Sequence, residues 1–119
     1  MSSERERLRL HDIVENIGRA ESYVEGRNFA SFASDTMRVD AVERCLQRIT
    51  EAVIKIGPQR MAKIAPDLPV AAVRGLGNLL RHEYDQINLE IVYATVINDL
   101  PELRAGCARA LMDTDGQND

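Results

Sequence analysis

The chain has 119 residues, of which 45% are hydrophobic, 29% charged and 4% aromatic, and its formal net charge is −4. This length fits one domain with one core, and the composition excludes a disordered chain and favours an aliphatic, helix-rich protein. Asp113, Asp115 and Asp119 supply three of the acids near the C-terminus, so the rest of the chain is close to neutral. A near-neutral body excludes nucleic-acid binding driven by overall charge alone, but it allows a local basic patch.

The sequence carries no signal for membrane insertion or for a disulfide. No segment reaches the ~20 apolar residues of a membrane-spanning helix, and no apolar run follows the charged N-terminus. We therefore expect a cytoplasmic protein that does not contact a membrane. Cys45 and Cys107 lack a Cys-x-x-Cys spacing and fall on apolar helix faces, which predicts buried free thiols.

In the first half of the chain, apolar residues recur at intervals of three and four. This period predicts an amphipathic helix over about residues 4–25, ended by Gly26. Residues 29–33 hold both phenylalanines and are too short for an independent helix, so they predict one helical turn whose aromatic rings plug the core. A second long helix is predicted from residue 36 or 37 to about residue 56, where Gly57 and a proline stop it.

The second half predicts two further helices. Residues 58–68 contain two prolines and are expected to form a connector, and a third main helix is predicted over about residues 69–84. Two glycines inside that helix indicate close approach by another backbone or a break. Asn88 is a good cap for a last helix, and we expect Pro101 to kink that helix rather than to divide it.

Together these elements predict an all-α fold, an up-and-down bundle of four long helices plus a short helical turn. We assign residues 1–112 to the bundle. Residues 113–119 form an acidic tail that is expected to be disordered, because no apolar residue anchors it. Wide apolar stripes on the first and last helices leave a surface for a second copy, so a homodimer is expected.

Polar chemistry concentrates at the end of the predicted third helix. Asn78 and His82 are four residues apart and share a helical face, Arg81 and Glu83 flank the imidazole, and Tyr84 follows. An imidazole can act as a general base near neutral pH, and a guanidinium can hold a phosphate and stabilise its charge. This is the minimum for metal-free RNA cleavage by a ribose 2′-hydroxyl. A histidine near a helix end is more often a structural hydrogen-bond partner, so spacing alone leaves both interpretations open.

Common catalytic motifs are absent from the sequence. There is no Gly-rich phosphate loop, HExxH motif, paired-cysteine ligand set or Gly-x-Ser-x-Gly elbow, so nucleotide hydrolysis, zinc hydrolysis and serine hydrolysis have little support. The other histidine, His11, has no second ligand at a metal spacing, which predicts a surface or boundary position. We expect neither a metal nor a cofactor.

The second predicted helix carries a polar face with Arg44, Arg48 and Glu51 three and four residues apart. A solvated, ion-paired face and a site-lining role both fit that cluster, and we take Arg48 and Glu51 as supporting site residues. The near-neutral charge of the body is compatible with a local basic patch near Arg44, Arg48, Arg74 and Arg81.

The order and spacing of several segments resemble the HepT-like branch of the HEPN superfamily. Residues 67–84, DLPVAAVRGLGNLLRHEY, are followed by NLEIVY at 88–93 and NDLPEL at 98–103. Upstream, AVERCLQRITEA at 41–52 resembles the second long helix of the family, and FASF at 29–32 resembles its short connecting turn. The similarity extends over nearly the whole chain up to about residue 112.

The resemblance implies a HEPN-like helical homodimer in which two motifs face each other across the interface. It also implies a prokaryotic toxin–antitoxin module, with the HepT-like protein as a metal-independent ribonuclease toxin. The implied partner is an MntA-type nucleotidyltransferase antitoxin, which in some members adds AMP to the motif tyrosine. By the same resemblance His82 is the general acid/base, Asn78 its polar support and Tyr84 the modification site. Glu51 matches an acidic position on the neighbouring helix.

One motif residue differs from the family. The family has an Arg directly before the Asn, and this chain has Gly77 there. Arg74 lies about 12 Å from His82 along the helix axis, and Arg81 points about 100° away from it; Arg81 of a second subunit is a hypothetical replacement. Three hypotheses about function follow. The first is a ribonuclease toxin with a displaced arginine, and the second is a weakened or inactive binding module that is a partner or AMPylation substrate of a nucleotidyltransferase. The third is a purely structural helical dimer.

Overall fold

The computed structural model describes the backbone of residues 3–68 and 88–117, and the side chains of residues 4–68 and 88–113. The elements in these ranges are α1 (Ser3–Val24), α2 (Phe29–Ala33), α3 (Thr36–Ile56), α4 (Pro58–Ile64), α5 (Leu89–Ala94), a π-helical segment (Thr95–Asp99) and α6 (Leu100–Gln117). Each of them is helical, which confirms the predicted all-α fold. The third long helix predicted over residues 69–84 lies outside the described residues.

Helix α1 lies between α3 and α6 and packs against both. Its apolar residues recur at intervals of three and four, so that one stripe enters the core. The fully buried members of this stripe are Leu10, Ile13, Ile17 and Ala20. The helix ends before Gly26, whose φ of 73° is in the left-handed region, as the sequence predicted. His11 is exposed on this helix, as expected.

Helix α2 brings an aromatic side chain into the core. The Asn28 side chain accepts a hydrogen bond from the Ser31 amide at 2.8 Å and caps the helix. Phe32 is fully buried, which confirms its predicted role as a plug, whereas Phe29 is only half-buried. The ring of Tyr93 lies against both phenylalanines, with centroid distances of 5.6 Å to Phe32 and 5.8 Å to Phe29. This aromatic cluster therefore joins α2 to α5.

The segment after α3 is more regular than the sequence predicted. Gly57 ends α3 with a φ of 96°, and Pro58 then occupies the first turn of α4, where a missing amide hydrogen costs nothing. Met61 and Ile64 of α4 are buried. The prediction of a connector is thus wrong for residues 58–64, because two apolar side chains one turn apart bury a short helix that has too few residues to show a period.

The last helical run begins where predicted. The Asn88 side chain accepts from the amides of Glu90 at 2.9 Å and Ile91 at 3.4 Å. The run then changes register at Thr95–Asp99, and the Leu100 amide donates to the Thr95 carbonyl, five residues back. A π-helical turn is wider than an α-helical one. We infer that it relieves the clash that Pro101 would cause in an uninterrupted α-helix.

Helix α6 runs to Gln117. The division into a domain of residues 1–112 and a tail of residues 113–119 stays a prediction. None of the described helices is long and apolar enough to cross a membrane.

Candidate functional site

Most of the predicted site residues fall in a part of the chain that the structure does not describe. Arg74, Gly77, Asn78, Arg81, His82 and Tyr84 all lie outside the described residues. Their proximity and roles stay predictions. The described members of the predicted site are Arg48 and Glu51, both on α3.

Arg48 and Glu51 line one cavity between α1 and α3, which we call the α1–α3 groove. Its volume is about 350 Å³. Its lining residues are Arg9, Asp12, Glu15, Asn16 and Arg19 from α1 and Arg48, Glu51, Ala52 and Lys55 from α3. On each helix most of these residues are three or four positions apart, so each set forms one face. The roles of Arg48 and Glu51 as site residues stay predictions.

Two of the cations in the groove are paired with acids on their own helix. The distance from Arg19 Nη2 to Glu15 Oε1 is 2.7 Å, and that from Lys55 Nζ to Glu51 Oε1 is 3.6 Å. Both pairs are solvent-exposed, so their contribution to folding stability is small. On α3 the acid of the predicted cluster, Glu51, is paired with Lys55 and not with Arg44 or Arg48.

The other two cations of the groove are Arg9 and Arg48, and neither forms an ion pair in the described part of the chain. Within the described ranges, neither Arg9 nor Arg48 has a carboxylate within 4.0 Å of its guanidinium. Arg44, the third member of the cluster seen in the sequence, donates instead to Gln47 Oε1 at 3.2 Å. Free guanidinium groups in a cavity are suited to anions, above all to phosphate and carboxylate oxygens.

Asn16 is the buried polar residue of the groove, with 6% of its surface exposed. Its Nδ2 donates to the Asp12 carbonyl oxygen at 2.8 Å. Its Oδ1 is buried and accepts no hydrogen bond from the residues that the structure describes. An unsatisfied buried acceptor costs about 1–3 kcal/mol, and Asn16 is one of the residues that line the groove.

The positive charges that line the groove affect the pKa of a buried cysteine in the core beneath it. Burial raises the pKa of the Cys45 thiol above its usual value, and the positive charges of Arg19 and Arg48 counteract part of that increase. Burial alone raises the pKa of Cys107 to about 12. Both thiols are free and buried, as predicted. Among the described side chains, no three from His, Cys, Asp and Glu come together as metal ligands.

Comparison with known proteins decides the family. Residues 13–110 match the family model described as ribonuclease HepT-like. The chain belongs to the HepT-like family. This finding confirms the resemblance drawn from the sequence and identifies the all-α bundle as HEPN-like.

Named relatives of this HepT-like chain cover most of its length. A "Probable ribonuclease HepT" of Thermococcus cleftensis is 30% identical over 95 residues, which cover 80% of this chain and 86% of that protein. Two proteins of Methanocaldococcus jannaschii, "Putative RNase MJ1216" and "Putative RNase MJ0127", are 26% and 30% identical over 110 residues, or 92% of this chain and 90% of each relative. No solved structure gives a significant match.

The α1 side of the groove in this HepT-like chain was missed by sequence reasoning. Arg9 and Asn16 lie seven residues apart, a spacing that places them on one face of α1. That spacing was the available signal. It did not indicate which face of α3 would lie opposite, because the pairing of helix faces depends on the tertiary fold.

Proposed function

We propose that this HepT-like chain is a metal-independent endoribonuclease, the cytoplasmic toxin subunit of a HepT/MntA-type toxin–antitoxin pair. The observation that carries the proposal is the family match over residues 13–110. The relatives named as ribonucleases support the same activity. Arg48 is exposed and has no ion-pair partner among the described residues, which is consistent with an anionic substrate such as RNA.

The proposed reaction begins with proton transfer to His82 from a ribose 2′-hydroxyl. The 2′-oxygen attacks the adjacent phosphorus, the bond from phosphorus to the 5′-oxygen breaks, and the leaving oxygen takes a proton from an imidazolium. The products are a 2′,3′-cyclic phosphate and a 5′-hydroxyl. Asn78 supports the imidazole, and Arg81 or Arg74 stabilises the charge that develops on the phosphate oxygens.

A homodimer supplies the second imidazole that this acid–base cycle uses. In the proposed dimer the two motifs face each other, so that one His82 acts as the base while the other acts as the acid. The partner that neutralises the toxin is an MntA-type nucleotidyltransferase, with Tyr84 as the residue that receives AMP. Arg48 and Glu51 support the site from α3.

A transcript-cleavage assay with matched histidine variants tests the proposal. We expect His82→Ala to lower the cleavage rate about 10²–10⁴-fold, the usual contribution of a general acid or base. His11→Ala is the control, because His11 is exposed on α1 and outside the proposed site. Equal cleavage by wild type and His82→Ala would exclude the proposed mechanism. In cells, His82→Ala should also relieve growth arrest.

The arginine is tested separately, since Gly77 replaces the motif residue. Gly77→Arg restores the family pattern and should increase cleavage if the native chain is a weakened enzyme. If Arg81 supplies the missing charge, Arg81→Ala should lose cleavage in the wild-type background. Full activity of Arg81→Ala would exclude that role and leave Arg74→Ala as the next variant.

Gly77 also supports a second candidate function, a catalytically weakened or inactive binding module that is a partner or AMPylation substrate of a nucleotidyltransferase. That function predicts a stable complex and the mass of added AMP on Tyr84, without RNA cleavage. A purely structural dimer predicts neither cleavage nor AMP addition. Measurement of both properties on the same preparation separates the three cases.

A further inference from the structure

The α1–α3 groove combines an excess of positive charge with a buried hydrogen-bond acceptor. Arg9 and Arg48 stand on opposite walls of the groove without an ion pair in the described part of the chain. The remaining acid of the groove, Asp12, also forms no ion pair there. The groove therefore has a local positive excess in a chain whose formal net charge is −4, which makes it a favourable place for an anion.

The size of the groove suits a small polar ligand. Its volume of about 350 Å³ lies within the range of about 300–1,000 Å³ that is usual for small-ligand sites. The walls carry mainly long, exposed arginine, lysine and glutamate side chains, which can move to admit a ligand. Only Ala52 among the lining residues is apolar. A ligand held here must therefore be polar along most of its surface.

The buried side chain of Asn16 restricts the chemical class of ligand that fits the groove. Its Oδ1 has no hydrogen-bond donor within the described part of the chain, although only 6% of the surface of the residue is exposed. The phosphodiester group of a nucleic acid has no donor proton, so that group alone leaves this oxygen unsatisfied. A nucleotide carries both groups, a phosphate for the guanidinium groups and a base N–H for the amide oxygen.

We propose that the α1–α3 groove binds one nucleotide unit of single-stranded RNA, with Arg9 and Arg48 on the phosphate and the Asn16 amide oxygen accepting an N–H from the base. This inference deepens the proposed function and rests on it for the choice of RNA. It adds the α1 residues Arg9 and Asn16 to the substrate contacts. The binding step involves no covalent change.

Binding is measured with a fluorescent, single-stranded 2′-O-methyl oligoribonucleotide, which has no free 2′-hydroxyl and cannot be cleaved by the proposed reaction. Arg9→Gln and Arg48→Gln should each weaken binding roughly tenfold, since each removes a charge-assisted hydrogen bond. Each should also reduce the slope of log K against log salt by about 0.7, the value for one phosphate contact on a single strand. Arg109→Gln, which removes the same charge from an exposed position on α6, should leave both quantities unchanged.

Asn16→Leu separates a ligand contact from a structural role. Leucine removes the unsatisfied oxygen at similar volume, so the melting temperature should hold or rise. Binding of the oligonucleotide should nevertheless weaken. A fall in melting temperature with unchanged affinity would show that Asn16 serves the fold alone and would overturn its assignment.

Adenosine monophosphate in the same assay distinguishes two sources of the nucleotide. If adenosine monophosphate competes with the oligonucleotide, and Arg48→Gln abolishes this competition, the groove accepts a free mononucleotide. If only the oligonucleotide binds, the groove requires a nucleotide that is part of an RNA strand. Equal affinity of wild type and both arginine variants overturns the inference, even if His82-dependent cleavage is present. Groove binding without cleavage by wild type would instead contradict the ribonuclease proposal and leave the groove assignment standing.

Discussion

Gly106 of α6 lies against the main chain of α4, and a β-carbon placed on Gly106 would stand 2.5 Å from the carbonyl oxygen of Ile64. That distance is shorter than carbon and oxygen tolerate without displacement of one backbone. The absence of a side chain at residue 106 therefore sets how closely α4 approaches α6. This approach holds the short helix α4 against the core.

We expect Gly106→Ala to destabilise the fold by about 1–3 kcal/mol, the usual cost of an overpacked core. Gly18→Ala is the matched control on α1, where the new β-carbon would lie 3.6 Å from Arg104 Nη2, an ordinary contact. Because alanine is the better helix former, Gly18→Ala should raise the free energy of unfolding by up to about 1 kcal/mol. Urea denaturation measures both changes. Equal effects of the two substitutions would contradict the close approach at residue 64.

Asp35 has two separable roles at the start of α3. Its carboxylate accepts from the Arg38 amide at 3.2 Å as the helix cap, and it forms ion pairs with Arg27 at 3.3 Å and Arg38 at 3.2 Å. We expect Asp35→Ala to cost about 1–2 kcal/mol, because it loses the cap as well as the charges. Asp35→Asn keeps a capping oxygen and should cost less than about 1 kcal/mol. High salt should diminish the loss in the asparagine variant; an asparagine variant as unstable as the alanine variant would show that the cap contributes little.

The buried thiol of Cys107 predicts a loss of stability in alkali. Its pKa is raised from 9.0 to about 12 by burial, so between these values the unfolded chain has released the proton and the folded chain has kept it. Stability therefore falls as pH rises above 9, by about 1.4 kcal/mol per pH unit from this group. Urea denaturation from pH 8 to 10.5 should show this additional slope in wild type and not in Cys107→Ala. Parallel curves for the two proteins would contradict the burial effect.

Two tyrosines give opposite expectations for stability and modification. The Tyr93 hydroxyl donates to the Arg27 carbonyl oxygen at 2.7 Å, so Tyr93→Phe should cost about 0.5–1.5 kcal/mol in thermal denaturation. It should leave AMP addition by a coexpressed nucleotidyltransferase intact. Tyr84→Phe should abolish the added mass in the proposed modification. Loss of the added mass in Tyr93→Phe, with Tyr84→Phe still modified, would move the acceptor to Tyr93.

The helices predicted most accurately are those whose apolar period is long. The sequence placed α1 at about 4–25 and α3 at 36 or 37 to 56, within one or two residues of Ser3–Val24 and Thr36–Ile56. Each stripe repeats over several turns, so local pattern suffices. Helix α4 was missed because its two buried side chains do not make a period and its position depends on Gly106. The π-helical register near Pro101 had no local signal beyond the proline.

Prediction of the α1–α3 groove from local sequence pattern has the same limit as prediction of the fold. Arg48 and Glu51 were predicted as supporting site residues because their spacing on α3 is visible in the sequence. Arg9 and Asn16 complete the cavity from a helix more than 30 residues earlier, and no local pattern joins positions so far apart. The charge of Arg9 and the unsatisfied oxygen of Asn16 can be related to the residues of α3 only when the packing of α1 against α3 is known.

The position of α1 between α3 and α6 determines the order in which the core can close during synthesis. Arg104 on α6 reaches Glu21 on α1 across 83 residues of sequence, and Arg7 donates to the Leu111 carbonyl oxygen across 104 residues. A nascent chain that has emerged only as far as α4 can pair α1 with α3, but the other side of α1 still lacks its cover. The side of α1 that faces α6 can therefore be covered only after α6 has been synthesised.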